Sequence, residues 1–149
     1  MPNERMTFQQ VLQQSRDYEV AANELSRFRN NNFQTLPTAR INELDAKTRE
    51  LRDIAQQLLN DAADIVWDNL QPTLQNIREA TDKMRKIRSH LINVHRALTF
   101  ATAAITLGAT VLTGNPVAIA TAALEVVNTV NTFRAEDDEA AQAEETAVS

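Results

Sequence analysis

Cysteine is absent from this 149-residue chain, and glycine and proline are scarce, with two and four copies. The missing thiols exclude disulfides, thiolate zinc sites and cysteine nucleophiles. The two glycines cannot build either common phosphate-binding loop, G-x-x-x-x-G-K-[ST] or G-x-G-x-x-G. An all-β fold is disfavoured as well, because its many turns need glycine and proline. The absences therefore favour a helical chain.

Charge is distributed unevenly along the chain. Residues 1–96 carry 14 Lys or Arg and 13 Asp or Glu, whereas residues 97–149 carry one Arg and seven acids. Six of those acids fall in the last fifteen residues, where large apolar residues do not recur periodically. We therefore predict one helical-bundle domain over residues 1–134 and an acidic, disordered or extended tail over residues 135–149.

The first ten residues are polar and contain no apolar segment. They do not resemble a classical signal peptide. We therefore expect a cytoplasmic or non-classically exported protein, with membrane association left open.

Apolar residues recur at spacings of three and four along four stretches, at about 5–29, 38–70, 73–112 and 117–134. The pattern predicts an all-α fold, an antiparallel bundle of three to four long amphipathic helices. Pro72 either begins a new helix or kinks a continuous one. We favour a turn, because one helix over 38–112 would be roughly 110 Å long.

The third stretch has a strict 3-4 seam that predicts coiled-coil-like packing against a helix of this chain or of a second copy. The seam comprises Ile77, Ala80, Met84, Ile87, Leu91, Val94, Leu98, Ala101, Ile105, Gly108 and Leu112.

The segment Ala97–Leu124 contains 28 consecutive residues without a charge. Nine are alanine, six are threonine and nine are large apolar residues. Within it, Gly114 suits a left-handed helix C-cap, Asn115 an N-cap and Pro116 a first helical turn. The segment is therefore predicted to form an apolar helical hairpin that extends to residue 133.

Two interpretations of this hairpin stay open. In the first it is a membrane-active element, because it is apolar on nearly every face, its small residues permit close packing in a bilayer, and a basic patch precedes it. In the second the small residues pack against a helical partner in a soluble assembly. A constitutive transmembrane hairpin is disfavoured, because the first arm is about 24 Å long against a hydrocarbon core of about 30 Å. Glu125 also interrupts the second arm.

A long amphipathic helix that runs into an uncharged hairpin, turned by Gly114-Asn115-Pro116, resembles the organisation of α-helical pore-forming toxins of the cytolysin A and tripartite haemolysin type. The resemblance covers about residues 84–133. It implies a hairpin that is masked in the soluble bundle and exposed on oligomerisation. It also implies a membrane-associating, self-assembling protein of pore-forming or membrane-perturbing character.

Two groups of residues follow as candidate sites. The membrane or interface hairpin comprises Leu98, Phe100, Ile105, Leu107, Gly108, Leu112, Gly114, Pro116, Val117 and Ile119. The headgroup-binding group comprises Lys83, Arg85, Lys86 and Arg88. For a membrane hairpin, Leu107→Asp is expected to abolish membrane binding without unfolding the chain. For a soluble coiled-coil scaffold or structural subunit, the same substitution is expected to break oligomers or melt the fold.

No catalytic constellation is recognisable in the sequence. His90 and His95 fall on different helix faces, no H-E-x-x-H motif occurs, and no serine lies in a G-x-S-x-G context. We therefore expect a non-enzymatic protein without a metal, a cofactor or a small-molecule substrate. The net charge of −5 and the few aromatic residues argue against a nucleic-acid partner. The expected partners are a second copy, another helical protein or a lipid membrane.

Overall fold

The computed structural model describes residues 4–67 and 69–148, and within these ranges five α-helices pack against each other. They are α1 (Phe8–Asn31), α2 (Thr38–Asp61), α3 (Leu70–Arg85), α4 (Val94–Thr113) and α5 (Pro116–Val148). The 3₁₀ turns Ala62–Asp64 and Ile87–His90 and the two-residue strands β1 (Glu4–Arg5) and β2 (Val66–Trp67) lie between or before the helices. The all-α prediction is confirmed.

The helices form a ring around one core. α2 lies against α1 and α4, and α5 lies against α4 and α3, so the order around the core is α1, α2, α4, α5, α3. α1 and α3 close the ring with the least contact of these neighbouring pairs. The largest fully buried side chains are Trp67, Tyr18 and Phe100, which come from β2, α1 and α4. The core therefore draws on elements far apart in sequence.

Short polar motifs determine where two helices begin. At the start of α1, the Thr7 N–H donates to Gln10 Oε1 at 2.8 Å, and the Gln10 N–H donates to Thr7 Oγ1 at 3.2 Å. This reciprocal pair is a capping box. At the start of α4, the Asn93 side chain accepts from the Arg96 N–H at 2.8 Å. Each cap satisfies backbone donors that the first helical turn would otherwise leave unpaired.

The turn predicted between the two hairpin helices is confirmed. Gly114 ends α4 with a left-handed φ of 72°, a conformation that glycine adopts without steric strain. Asn115 Oδ1 accepts from the backbone N–H groups of Val117 at 3.0 Å and Ala118 at 3.2 Å. Pro116 is the first residue of α5, where a missing N–H is harmless.

The second predicted stretch, 38–70, ends earlier than expected. α2 stops at Asp61, and the β-branched and aromatic pair Val66–Trp67 forms β2. β2 pairs antiparallel with β1, with Glu4 opposite Trp67, so its backbone bonds to the N-terminal strand and does not continue the helix. Pro72 lies in the first turn of α3. A turn, which we favoured over a kink, therefore separates α2 from α3. The connection is longer than we expected, because α2 ends at Asp61 and α3 begins at Leu70.

The third predicted stretch, 73–112, is two helices. α3 ends at Arg85 and α4 begins at Val94, after the Asn93 cap, so the prediction of one continuous helix is wrong. The seam residues of α3 are buried. In α4 the buried face instead contains Phe100, Leu107 and Val111, while Leu98, Ile105 and Leu112 are only half-buried. The break lets α4 adopt its own rotation about the helix axis.

The acidic C-terminal segment also differs from the expectation of a disordered or extended tail. α5 continues without interruption from Pro116 to Val148. Alanine and glutamate, which dominate the segment, are strong helix formers. Glu136 and Asp137 also bond to Arg96 on α4, which holds this part of α5 against the bundle.

α4 approaches α1 and α2 most tightly at Gly108. A Cβ atom at this position would lie 2.6 Å from Ile54 Cγ2 and 3.1 Å from Tyr18 Cε1, closer than carbon atoms normally pack. One turn earlier, the buried Tyr18 hydroxyl donates to the carbonyl oxygen of Ala104 at 2.8 Å. The small residues of the hairpin therefore serve close helix packing within the monomer.

We expect Gly108→Val to lower the free energy of unfolding by about 2 kcal/mol, the usual scale of overpacking in a filled core. The new methyl groups meet Ile54, whose β-branched side chain has little rotamer freedom. Urea denaturation measures the loss. Ala109→Val is the matched control, because Ala109 is exposed on the same helix. Equal urea midpoints for the two variants would contradict the close approach.

Candidate functional site

The structure divides the predicted hairpin residues into buried, half-buried and exposed groups. The buried group is Phe100, Leu107, Gly108, Gly114 and Ile119; the half-buried group is Leu98, Ile105, Leu112 and Pro116; and Val117 is 75% exposed. The buried residues could reach lipid only if α4 left α1 and α2.

Leu107 is fully buried, so a carboxylate there would lie in the core. Leu107→Asp is therefore expected to destabilise the fold, and it does not separate the two interpretations.

Seven exposed residues on α4 and the first turns of α5 form an uncharged surface that ends next to the exposed Glu125. We call this surface the outer hairpin face. It comprises Thr102, Thr106, Ala109, Thr113, Val117, Thr121 and Leu124. Sequence reasoning did not separate this face from the buried one, although the helical spacing of the threonines was a usable signal.

Three of the four threonine hydroxyls on the outer hairpin face, and that of the neighbouring Thr110, already have hydrogen-bond acceptors within their own helices. Thr106 and Thr121 donate to the carbonyl four residues earlier, at 2.9 and 3.0 Å. Thr110 and Thr113 donate to the carbonyl three residues earlier, at 2.7 and 2.6 Å. A hydroxyl that keeps its bond can leave water with a smaller penalty than an unpaired one. The face is thus suited to a dry contact despite its polar composition.

A shallow groove of about 630 Å³ runs across the outer hairpin face, where α4 meets the start of α5. Ala109 and Ala118 contribute small side chains to it, and Ile105 contributes a half-buried apolar one. Small residues let the backbone of a second helix come close. The groove therefore has the shape of a helix-docking surface.

Near the N-terminal end of α4, Arg96 forms ion pairs with two carboxylates of α5. Its residue surface is only 5% exposed. The guanidinium donates to Asp137 at 2.8 Å, to Glu136 at 2.8 Å and to the His90 carbonyl at 3.1 Å, and it lies 4.9 Å from the centre of the Phe133 ring. We call these five residues the Arg96 clamp. The amino-acid sequence does not indicate which carboxylates pair with Arg96, because Glu136 and Asp137 are 40 and 41 residues away.

The hydrogen bonds of the Arg96 clamp favour the charged forms of Arg96 and Asp137. His90 and then Arg96 hold the pKa of Asp137 below its usual value, although partial burial acts in the other direction. Burial alone would lower the pKa of Arg96, but its bonds to Asp137 and Glu136 raise it. The clamp therefore remains an ion pair at neutral pH.

The four predicted headgroup-binding residues lie just before α4, far from the Gly114 turn. Lys86 and Arg88 are exposed and Lys83 is half-buried. Arg85 forms an ion pair with Asp82, and its Nε lies 3.7 Å from Asp17 Oδ1. Nearby carboxylates therefore partly neutralise Arg85, and the other three cations keep most of the positive charge.

One helix among the described residues, Val94–Thr113, is long and apolar enough to cross a membrane by length and composition. Half of its most apolar window is buried inside the protein, as in the core helices of soluble bundles. The helix lies in the middle of the chain, so it is not a signal-peptide-like feature. Within residues 4–67 and 69–148, no group of three or more His, Asp or Glu side chains is placed to hold a metal ion.

We expect Arg96→Gln to release α5 around residues 133–138 while the rest of the bundle stays folded. The lost charged hydrogen bonds correspond to roughly 2 kcal/mol, because the guanidinium is buried. Hydrogen exchange should show faster amide exchange in that segment. Arg134→Gln, at an exposed position on α5, should leave amide exchange unchanged. Similar exchange in both variants would contradict the clamp.

The same comparison has a defined pH dependence. Because the pKa of Asp137 is lowered in the folded state, its contribution is present above the ordinary carboxyl value of 3.8 and is lost as the pH falls below it. The stability difference between the wild-type chain and Arg96→Gln should therefore be retained from about pH 7 to about pH 4 and shrink as the pH falls below about 3.8.

Comparison with known proteins assigns no family. No protein-family model matches the chain, and searches of curated proteins and of solved structures give no match. The function of the chain is therefore inferred from the geometry of its own surfaces.

Proposed function

We propose that this is a self-assembling helical protein whose copies associate through the outer hairpin face. The observation that supports the proposal is that this exposed face carries no charge and that three of its four threonine hydroxyls, those of Thr106, Thr113 and Thr121, are bonded internally. Its burial against another copy would leave no charge unpaired. Association would also cost little in lost hydrogen bonds to water.

The second copy is the occupant that the hairpin geometry favours. The inner face of α4 already packs on α1 and α2, so only the outer face is free for a partner. We infer that α4 and α5 run antiparallel, because a two-residue connection joins them. Two such hairpins can pack face to face with small residues at the centre. The pore-forming interpretation of the sequence includes self-association, and the scaffold interpretation allows it, because there the hairpin packs in an oligomer or against another protein.

Ala109→Arg should convert the wild-type oligomer into monomer. The exposed alanine lies in the groove, and a guanidinium there would be buried without a partner in a face-to-face contact. Sedimentation velocity over a concentration series measures the mass. Gln57→Arg, which places the same charge on the exposed side of α2, should leave the oligomer intact. A wild-type chain that stays monomeric at every concentration would refute the proposal.

Lipid is the second candidate for contact with the same surface. The uncharged part of α4, residues 97–113, is about 25 Å of helix, which is most of the roughly 30 Å thickness of a hydrocarbon core. Val117 at the hairpin tip is 75% exposed and Leu124 is 59% exposed, while Lys86 and Arg88 lie at the other end of α4. A tip-first approach would bring Val117 to the lipid first, with the basic residues left near the headgroups.

Flotation with neutral and anionic liposomes, with dye release recorded on the same samples, tests this second candidate. The expected result is flotation with anionic liposomes that falls several-fold in Val117→Glu and does not fall in Gln57→Glu. Dye release would indicate pore-forming character. Absence of flotation with both lipids would reject the membrane candidate without affecting self-assembly, which sedimentation measures in the absence of lipid.

A further inference from the structure

A polar cleft of about 400 Å³ separates α1 from α3 on the side of the ring where the two helices touch least. Gln13, Gln14 and Asp17 line it from α1, and Arg78, Thr81 and Arg85 line it from α3. The polar cleft is distinct from the outer hairpin face, which lies on α4 and α5. Its volume falls in the range of roughly 300–1,000 Å³ that small-molecule sites occupy.

The α1 wall of the polar cleft contains polar groups that the fold does not fully satisfy. Gln14 is 4% exposed, and its Oε1 atom has no hydrogen-bond partner among the described residues. A buried acceptor without a donor costs about 1–3 kcal/mol. An apolar residue at position 14 would avoid this cost. The polar side chain of Gln14 is therefore better explained by a ligand that supplies a hydrogen-bond donor to it.

Asp17 adds a buried carboxylate beside this amide. It is 2% exposed, accepts from Gln13 Nε2 at 3.0 Å, and has Arg85 Nε at 3.7 Å. Burial raises the pKa of Asp17, although Arg85, Gln13 and Thr81 act in the opposite direction, so the folded chain only partly compensates the carboxylate charge. A cationic group in the polar cleft would compensate the remainder.

The α3 wall supplies the opposite charge. Arg85 is shared between Asp17 and Asp82. Arg78 is exposed and forms no ion pair with any residue that the structure describes. Arginine binds carboxylates through two parallel N–H bonds. The polar cleft therefore combines an acceptor wall with a free cation at its rim, and its two arginines balance its two aspartates.

We propose that the polar cleft binds a small zwitterion of the α-amino-acid class. The ammonium group would donate to Gln14 Oε1 and lie near Asp17, while the carboxylate would pair with Arg78. A neutral, polar amino acid fits the polar cleft, because the lining residues carry no net charge and include several amides. This binding is independent of the proposed self-assembly, since none of these residues belongs to the outer hairpin face.

Nuclear magnetic resonance titration of the ¹⁵N-labelled full chain tests the proposal with three probes. They are L-glutamine, N-acetyl-L-glutamine, which lacks the ammonium group, and L-glutamine amide, which lacks the carboxylate. L-glutamine should shift the amides of α1 and α3 saturably, and each blocked probe should bind at least about tenfold more weakly because it loses one charge-assisted contact. No saturable shift with L-glutamine, or equal affinity for all three probes, would overturn the proposal.

Two variants link any binding to the polar cleft. Arg78→Gln, at an exposed position, should weaken L-glutamine binding by about tenfold or more. The matched control Arg52→Gln, on exposed α2 surface, should bind as the wild type does.

Gln14→Leu should also lose binding, and its urea midpoint should rise because the unpaired acceptor is gone. Binding that survives both Arg78→Gln and Gln14→Leu would place the amino acid elsewhere and refute the site. Ala109→Arg should bind normally, so failure of self-assembly and failure of this site remain distinguishable.

Discussion

The close approach of α4 to α1 and α2 is the constraint on which the rest of the molecule depends. At Gly108 the side chains of Ile54 and Tyr18 are too near for even a methyl group, and one turn away the Tyr18 hydroxyl bonds to the backbone of Ala104. This contact places the most apolar helix of the chain inside the bundle. It also decides which side of the hairpin remains available, because the side that packs on α1 and α2 cannot face a partner without opening the core.

The uncharged run of residues 97–124 thus has two physical origins. On the inner side, charge is absent because the residues are core, as Phe100 and Leu107 show. On the outer side, residues such as Thr106 and Ala109 are exposed, and the general need to bury apolar surface does not explain the absence of charge there. An exposed face of this kind, with most of its hydroxyls already bonded, is compatible with a protein contact or a lipid contact, and both depend on the same dry surface.

Arg96 and Asp17, the two buried charged groups among the residues that the structure describes, are compensated to different extents. Arg96 has two carboxylates, a carbonyl and an aromatic face around it, so it acts as a structural clamp between α4 and α5. Asp17 has an amide donor, a threonine hydroxyl and one arginine whose Nε lies 3.7 Å away, and the neighbouring Gln14 has an acceptor without a donor. A well-compensated charge contributes to the fold, whereas a poorly compensated one in a cleft is typical of a binding site. This contrast separates the Arg96 clamp from the polar cleft.

The sequence by itself determined the helical class, the Gly114-Asn115-Pro116 turn and the turn near Pro72, because these features depend on local backbone preferences and on the spacing of apolar residues. It did not reveal the break between α3 and α4, because the apolar seam continues in phase through Ile87 and Leu91. These two residues are buried in the structure, and one continuous helix would bury them as well. Only the tertiary structure decided which side of α4 faces the core, which carboxylates hold Arg96, and that Gln14 and Asp17 share a cleft with Arg78. These features depend on contacts between residues far apart in the chain, and neither helical periodicity nor local propensity carries information about such contacts.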